Sequence, residues 1–173
     1  DGEYCAKQQM TLPVSDLGFL LSDTTYDALH VINGGFFRME DHLARWEQSI
    51  TKRQFNSLPY DPDETREILM ECVSRTGLRK SMVYLLATRG EALDGLKDLR
   101  QSQNRFLAWA VPYYAVIPDA KFEDGIDICV SSVLATPPAA HVPPVKHFAR
   151  LDFSDALLAA YVKGLAPAVR RDR

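Results

Sequence analysis

Cysteine is scarce in this 173-residue chain: Cys5, Cys72 and Cys129 are odd in number, far apart and free of any CxxC spacing. That excludes a disulfide framework and a cysteine-rich zinc site, and fits reduced thiols in a cytoplasmic protein, packed as small hydrophobic residues. Long apolar runs are missing as well. No stretch comes near the roughly 18 apolar residues of a membrane span, and the N-terminus lacks the charged-then-apolar order of a signal peptide, so no membrane partner is expected. Charge of one sign is also absent, since 20 basic and 23 acidic side chains leave a formal charge of −3. With no basic stripe interleaved with aromatic residues, nucleic acid is discounted as a partner. The patterns GxSxG, HExxH, GxGxxG and the P-loop do not occur. His30, His42, His141 and His147 have no metal-ligand spacing, so no metal is expected.

What remains is an ordinary globular balance, 46% apolar and 25% charged, in a chain long enough to bury roughly 70% of the surface its unfolded form exposes. Tyr26 to Ile32, then Asn33-Gly34, then Gly35 to Arg38 reads as a β-hairpin, because Asn-Gly accepts the positive φ angles of a two-residue turn. Glu40 to Arg53 reads as an amphipathic helix with Leu43, Trp46 and Ile50 on one stripe. A second helix opens at the capping sequence Asp61-Pro62-Asp63-Glu64, buries Ile68, Leu69, Cys72 and Val73, and stops at Gly77. Ser81 to Thr88 and Phe106 to Val116 read as strands joined across Gly90 to Asn104, and Ile126 to Leu134 as a further strand. Pro137, Pro138, Pro143 and Pro144 predict an extended loop, followed by a helix from Asp152 or Ser154 to Gly164. The pattern is α+β, with a boundary between Ile117 and Asp124. The opening Asp1-Gly-Glu-Tyr, without a methionine, reads as a trimmed start.

Two residues stand out chemically. Lys146 lies between Pro143-Pro144-Val145 and Phe148, surroundings apolar for a solvated lysine. Either its aliphatic stem carries the ammonium to the surface, or desolvation leaves a neutral amine able to attack a carbonyl. Arg45 sits on its helix beside Leu43 and Trp46. A surface salt bridge and a bidentate phosphate contact are both open to it. Periodicity decides neither.

Three blocks, DLGFLLSDTTYDALHVINGGFFRMEDHLARWEQS (Asp16 to Ser49), the strand ending in Ala87-Thr88-Arg89-Gly90, and TPP…PPVKHFARLDFSDAL (Thr136 to Leu157), resemble the class IV, fold-type IV, aminotransferases. Their order and spacing match the family's over nearly the whole chain. The resemblance implies pyridoxal 5′-phosphate (PLP) as cofactor, with Lys146 as its Schiff-base lysine and as proton carrier, and Arg45, in the FRxxxHLxR stretch, on the cofactor phosphate. It also implies an α+β N-terminal domain over residues 1–120, mainly an antiparallel sheet with helices, and the beginning of a C-terminal pseudo-barrel, PLP-binding domain over 121–173.

Within the family, GF-x-x-SD-x-TYD followed by FFR looks most like the (R)-selective amine transaminase branch. Branched-chain enzymes carry a YG-x-x-x-FEG block there and D-amino acid enzymes a GDG-x-YE block. By this similarity Tyr26, Ala28, Met82, Tyr84, Phe148 and Arg150 line the substrate pocket, with Leu21 and Arg150 departing from the branch's usual residues. The implied activity moves an amino group between an amine or amino acid, (R)-amines among them, and a keto acid, in a cytoplasmic homodimer. The family's glutamate on the pyridine nitrogen and its phosphate-binding loops have no counterpart before the chain stops at LAPAVRRDR. A fragment of a longer enzyme is therefore expected; a half-length binding or assembly module and an aminodeoxychorismate-lyase-like enzyme are the alternatives.

Overall fold

The structure, a computed structural model, describes residues 2–92, 98–117, 119–140, 145–165 and 168–171. His141, Pro143 and Pro144 lie outside the described residues, as do residues 93–97 of the connection expected between two strands. Contacts divide the chain into two units. The first comprises residues up to 114 together with 145–148; the second takes up the rest.

The first unit is built on a four-stranded antiparallel sheet of β1 (Thr24–Ile32), β2 (Gly35–Phe36), β3 (Ser81–Ala92) and β4 (Ser102–Pro112), in the order β2-β1-β3-β4. Asn33 and Gly34 join β1 to β2 with φ of 53° and 85°, the twist-compatible turn that the dipeptide predicts. Alternation along the strands sends Leu29, Val31, Val83, Leu85 and Ala87 to one face, where they meet Leu43 and Trp46 of α2 (Met39–Lys52) and Leu69 and Val73 of α3 (Pro62–Thr76). Each buried large aliphatic side chain there contributes about 1.5–3 kcal/mol. The capping box opens α3 as read, with Asp61 Oδ1 accepting from Glu64 N at 2.8 Å and Glu64 Oε2 from Asp61 N at 2.9 Å. Antiparallel pairing of Ala28 with Tyr84 and of His30 with Met82 puts Tyr26, Ala28, Met82 and Tyr84 together on the opposite face.

Several expected boundaries move. β3 runs on through Arg89 and Gly90 to Ala92, and β4 starts at Ser102, because their ladder continues past an irregularity between Thr88 and Glu91. Polar residues are tolerated there because they are bonded: Asn104 Nδ2 donates to the Arg89 carbonyl at 2.8 Å. β4 ends at Pro112, which has no N–H to extend a ladder. A short helix, α1 (Leu17–Leu20), was not expected; Asp16 caps it by accepting from Gly18 N at 2.7 Å. Of the cysteines only Cys129 is buried, while Cys5 is exposed and Cys72 half-buried. Ile68 and Cys72 are likewise only partly covered, because they border a solvent-open cleft with Tyr4 and Tyr60.

The second unit holds β5 (Cys129–Leu134), paired in parallel with β6 (Ala168–Arg171), and α4 (Leu151–Val162), which buries Ala156 and Ala160. The helix begins before Asp152, which serves instead as a first-turn acceptor: its carboxylate takes Thr136 N at 2.7 Å and pairs with Arg170. Among the described residues no helix is long and apolar enough to cross a membrane.

Candidate active site

The site is assembled in the first unit around Asp27, a carboxylate with no solvent exposure. Strand alternation places it on the same face as Leu29 and Val31, so a lone acid enters a largely apolar layer and requires partners. It has four. Oδ1 accepts from its neighbour Ala28 N at 2.7 Å, lies 2.9 Å from His42 Nδ1 and accepts from Arg45 Nη2 at 2.7 Å; Oδ2 takes Arg45 Nε at 2.7 Å. Lys146 Nζ lies 3.5 Å from the same Oδ1. Burial pushes the Asp27 carboxyl up, but the hydrogen bonds from Arg45, His42 and Ala28 and the Lys146 charge outweigh it and hold it below its ordinary value.

Arg45 and His42 stand three residues apart on α2, so both reach β1 from one helical face. The arginine is therefore in an ion pair, as one of its two sequence readings held. Its partner is a buried strand acid rather than a surface residue, and half of its own side chain stays open to solvent.

Lys146 arrives from far along the chain and docks on the edge of β1. Its carbonyl accepts from Tyr26 N at 3.0 Å and from Thr25 Oγ1 at 3.0 Å, while Phe148 N donates to Thr24 Oγ1 at 3.3 Å. From that edge Nζ lies 4.8 Å from the Tyr26 ring centroid. The fully desolvated amine that one of the two sequence readings of this lysine offered is not what the structure gives: its side chain is 34% exposed and faces a carboxylate. The strand edge leaves one flank of the stem to water.

The other site residues divide. Phe148 packs on Tyr26 with ring centroids 4.6 Å apart. Tyr84 stacks on Trp109 at 5.1 Å and shares a hydrogen bond with Tyr114 at 2.6 Å. Burial, and then that bond, push its phenol up to about 12, so it stays protonated at neutral pH. Arg150 belongs to the second unit, at the start of α4, with its guanidinium 4.5 Å from the Phe153 ring centroid. The strand itself is fixed at its start by Arg89, which donates to Asp23 Oδ2 at 2.7 Å and to the carbonyls of Arg53 and Gln54 at 2.7 and 2.9 Å. Sequence reasoning missed Asp27, His42 and Thr25. An acid at an apolar-face position of β1 was the available signal for the first.

A primary amine and a guanidinium meeting at one carboxylate, with an aromatic ring beside the amine, is a donor set that suits an aldehyde bearing a phosphate. The family model for amino-transferase class IV matches residues 24–169. The chain belongs to that family. Class IV aminotransferases use PLP, and the mixed α/β architecture with its antiparallel sheet is that of the fold-type IV N-terminal domain. A D-alanine aminotransferase of Listeria monocytogenes serotype 1/2a (strain 10403S) is 31% identical over 84 residues, 49% of this chain and 29% of its own length. The branched-chain amino acid aminotransferase of Escherichia coli matches with a TM-score of 0.87 at 19% identity, covering 99% of this chain and 58% of that one. A 4-amino-4-deoxychorismate lyase from Pseudomonas aeruginosa matches with a TM-score of 0.77 at 25% identity, over 99% of this chain and 60% of that one. This class IV chain spans less than two thirds of each of these relatives.

Proposed function

We propose that this chain carries the lysine-bearing part of a PLP-dependent transaminase that moves an amino group between an amine or amino acid and a keto acid. The observation that carries the reading is that Lys146 and Arg45, 101 positions apart in the numbering, converge on the single buried carboxylate of Asp27. When bound, PLP supplies an aldehyde that condenses with amines and a ring that accepts the electron pair left on the substrate carbon. Lys146 Nζ would be the nucleophile toward that aldehyde and the group that moves a proton at the substrate carbon. Arg45 holds the phosphate; its half-exposed guanidinium keeps its charge over the whole physiological range. Asp27 fixes the arginine's orientation and offsets its charge, which keeps two cations tolerable side by side.

Tyr26 and Phe148 shield one side of the amine from water. Ala28, Met82 and Tyr84 on the sheet face receive the substrate substituent, and the small Ala28 beside Tyr84 leaves room for an apolar group. The motif SD-x-TYD with FFR supports preference for an (R)-amine, in a cytoplasmic homodimer. An aminodeoxychorismate-lyase-like activity is the second reading, favoured by the likeness at 25% identity over nearly the whole chain.

The test is PLP uptake by the purified protein. The expected result is a yellow protein that borohydride labels at Lys146, a colourless Lys146→Ala variant, and an affinity about tenfold weaker in Arg45→Ala, the loss of roughly one charge-assisted contact. Failure to take up PLP at saturating concentration overturns the reading in favour of a binding or assembly module. Pyruvate released from an aminodeoxychorismate substrate without any keto acceptor replaces it with the lyase.

A further inference from the structure

Thr24 and Thr25 open β1 and are almost fully covered, with exposures of 2% and 0%. Successive strand residues point to opposite faces, so the two hydroxyls flank the strand at the point where residues 145–148 dock. Each makes one contact with that segment. Thr25 Oγ1 donates to the Lys146 carbonyl at 3.0 Å, which also accepts from Tyr26 N at 3.0 Å; Thr24 Oγ1 accepts from Phe148 N at 3.3 Å. The docked segment groups with the first unit although the chain on either side of it groups with the second. These bonds gather at one strand end. That strand end is in turn anchored by Asp23 and Arg89, whose backbones also pair, Arg89 N to Asp23 O at 3.0 Å.

We infer that Thr25 is a positioning residue for Lys146: its hydroxyl, acting on the lysine carbonyl, fixes the backbone from which the amine reaches the Tyr26 ring and the Asp27 carboxylate. This rests on the assignment of Lys146 as the reactive amine. Nζ stands at the far end of a four-carbon stem, so at a given rotamer a small rotation of its peptide displaces Nζ by more than the shift at the carbonyl. A second donor on one carbonyl removes that freedom. The backbone bond from Tyr26 N alone leaves the peptide plane free to swing about a single contact. Valine at position 25 matches threonine in shape and in strand preference and lacks only the donor.

The experiment measures the rate at which each lysine of the whole chain is labelled by PLP and borohydride, read by peptide mass mapping across pH 6–10. In parallel, a small acylating reagent reports amine reactivity without any cofactor. In the parent, preferential labelling of Lys146 by PLP tests the enzyme reading by itself. For Thr25→Val the expected result is a fivefold to tenfold slower PLP labelling of Lys146, the effect of roughly one hydrogen bond. Lys52, Lys80 and Lys121 should stay within about twofold, within the scatter of remote surface changes. The acylation profile of Lys146 against pH should change shape while theirs does not, and Thr25→Ser, which keeps the hydroxyl, should restore the parent rate. A general loss of structure would move all the lysines together. If Thr25→Val does not fold, Thr25→Cys and Thr25→Ser carry the comparison: a slow cysteine variant beside a parent-like serine variant supports the inference. Labelling of Lys146 at the parent rate and with the parent pH profile in the valine or cysteine variant overturns it, whether or not PLP proves to be the cofactor.

Discussion

Asp27 decides more about this molecule than any other side chain, because it is the one group that Arg45, His42 and Lys146 all face. Replacing it by asparagine keeps the shape and one acceptor oxygen but removes the charge. The two-pronged Arg45 contact then loses one prong to an amide N–H that faces a donor, which costs about 1–2 kcal/mol given that the arginine is half-exposed. Asp27→Asn is therefore expected to lower the denaturant midpoint modestly and to weaken PLP binding by loosening Arg45. Equal affinity in the variant and the parent, by titration of the absorbance, would refute the orienting role. The sequence offered this residue only indirectly. Tyr26 and Ala28 came as a pair from the family resemblance, and the strand period of two puts them on one face. The identical rule puts Asp27 with Leu29 and Val31, and it is burial on that face, invisible in composition, that turns the acid into a hub.

At the scale of elements, the local signals were dependable where one residue type dictates one backbone conformation. Asn33-Gly34 made its turn, and Asp61-Pro62 with Glu64 capped α3 as read. The misplaced limits are those set by pairing across the sheet: β3 and β4 extend each other through polar residues whose hydrogen bonds lie in tertiary structure. Gly90 is central to that extension. It has φ of +72°, and a Cβ at this position would stand 1.6 Å from the Gln103 carbonyl oxygen, an obstacle made of backbone. Gly90→Ala is thus expected to cost on the order of 3 kcal/mol or more, combining left-handed strain with displacement of a neighbouring strand. Urea unfolding reads it; a midpoint within error of the parent would show that the irregularity relaxes freely. The same lesson applies to the site. Lys146 and Arg45 could be picked out from their flanking residues, whereas the threonine contacts that seat the lysine link residues 121 and 124 positions apart, and no spacing rule reaches that far.

For the molecule as a whole, the acid side of the stability curve carries the imprint of its buried carboxylates. Asp23 is pushed up by burial but held low overall by hydrogen bonds from Arg89 and Arg53, and Asp27 is held low by Arg45 and His42 against the same burial. Each carboxyl therefore binds its proton more readily in the unfolded chain. Unfolding takes up protons as the pH drops through the interval between the two values, so the stabilisation is complete above the unfolded value near 4 and is lost as pH falls through the folded ones. The free energy of unfolding is expected to decline steeply below about pH 4–5, and less steeply in Asp27→Asn, which a series of denaturant titrations from pH 7 to pH 2 would measure. A flat profile would show that these ion pairs form equally well in the unfolded chain.

The docking of residues 145–148 on β1 also orders events in time. Closing a contact across 121 residues costs about 4 kcal/mol of chain entropy on a logarithmic scale, far more than a hairpin turn or one turn of helix. Local elements and the neighbouring β1–β3 ladder come first, and Lys146 reaches its seat last, on a platform already built. A chain caught midway through synthesis thus has the arginine and its acid partner in place while the lysine has still to arrive.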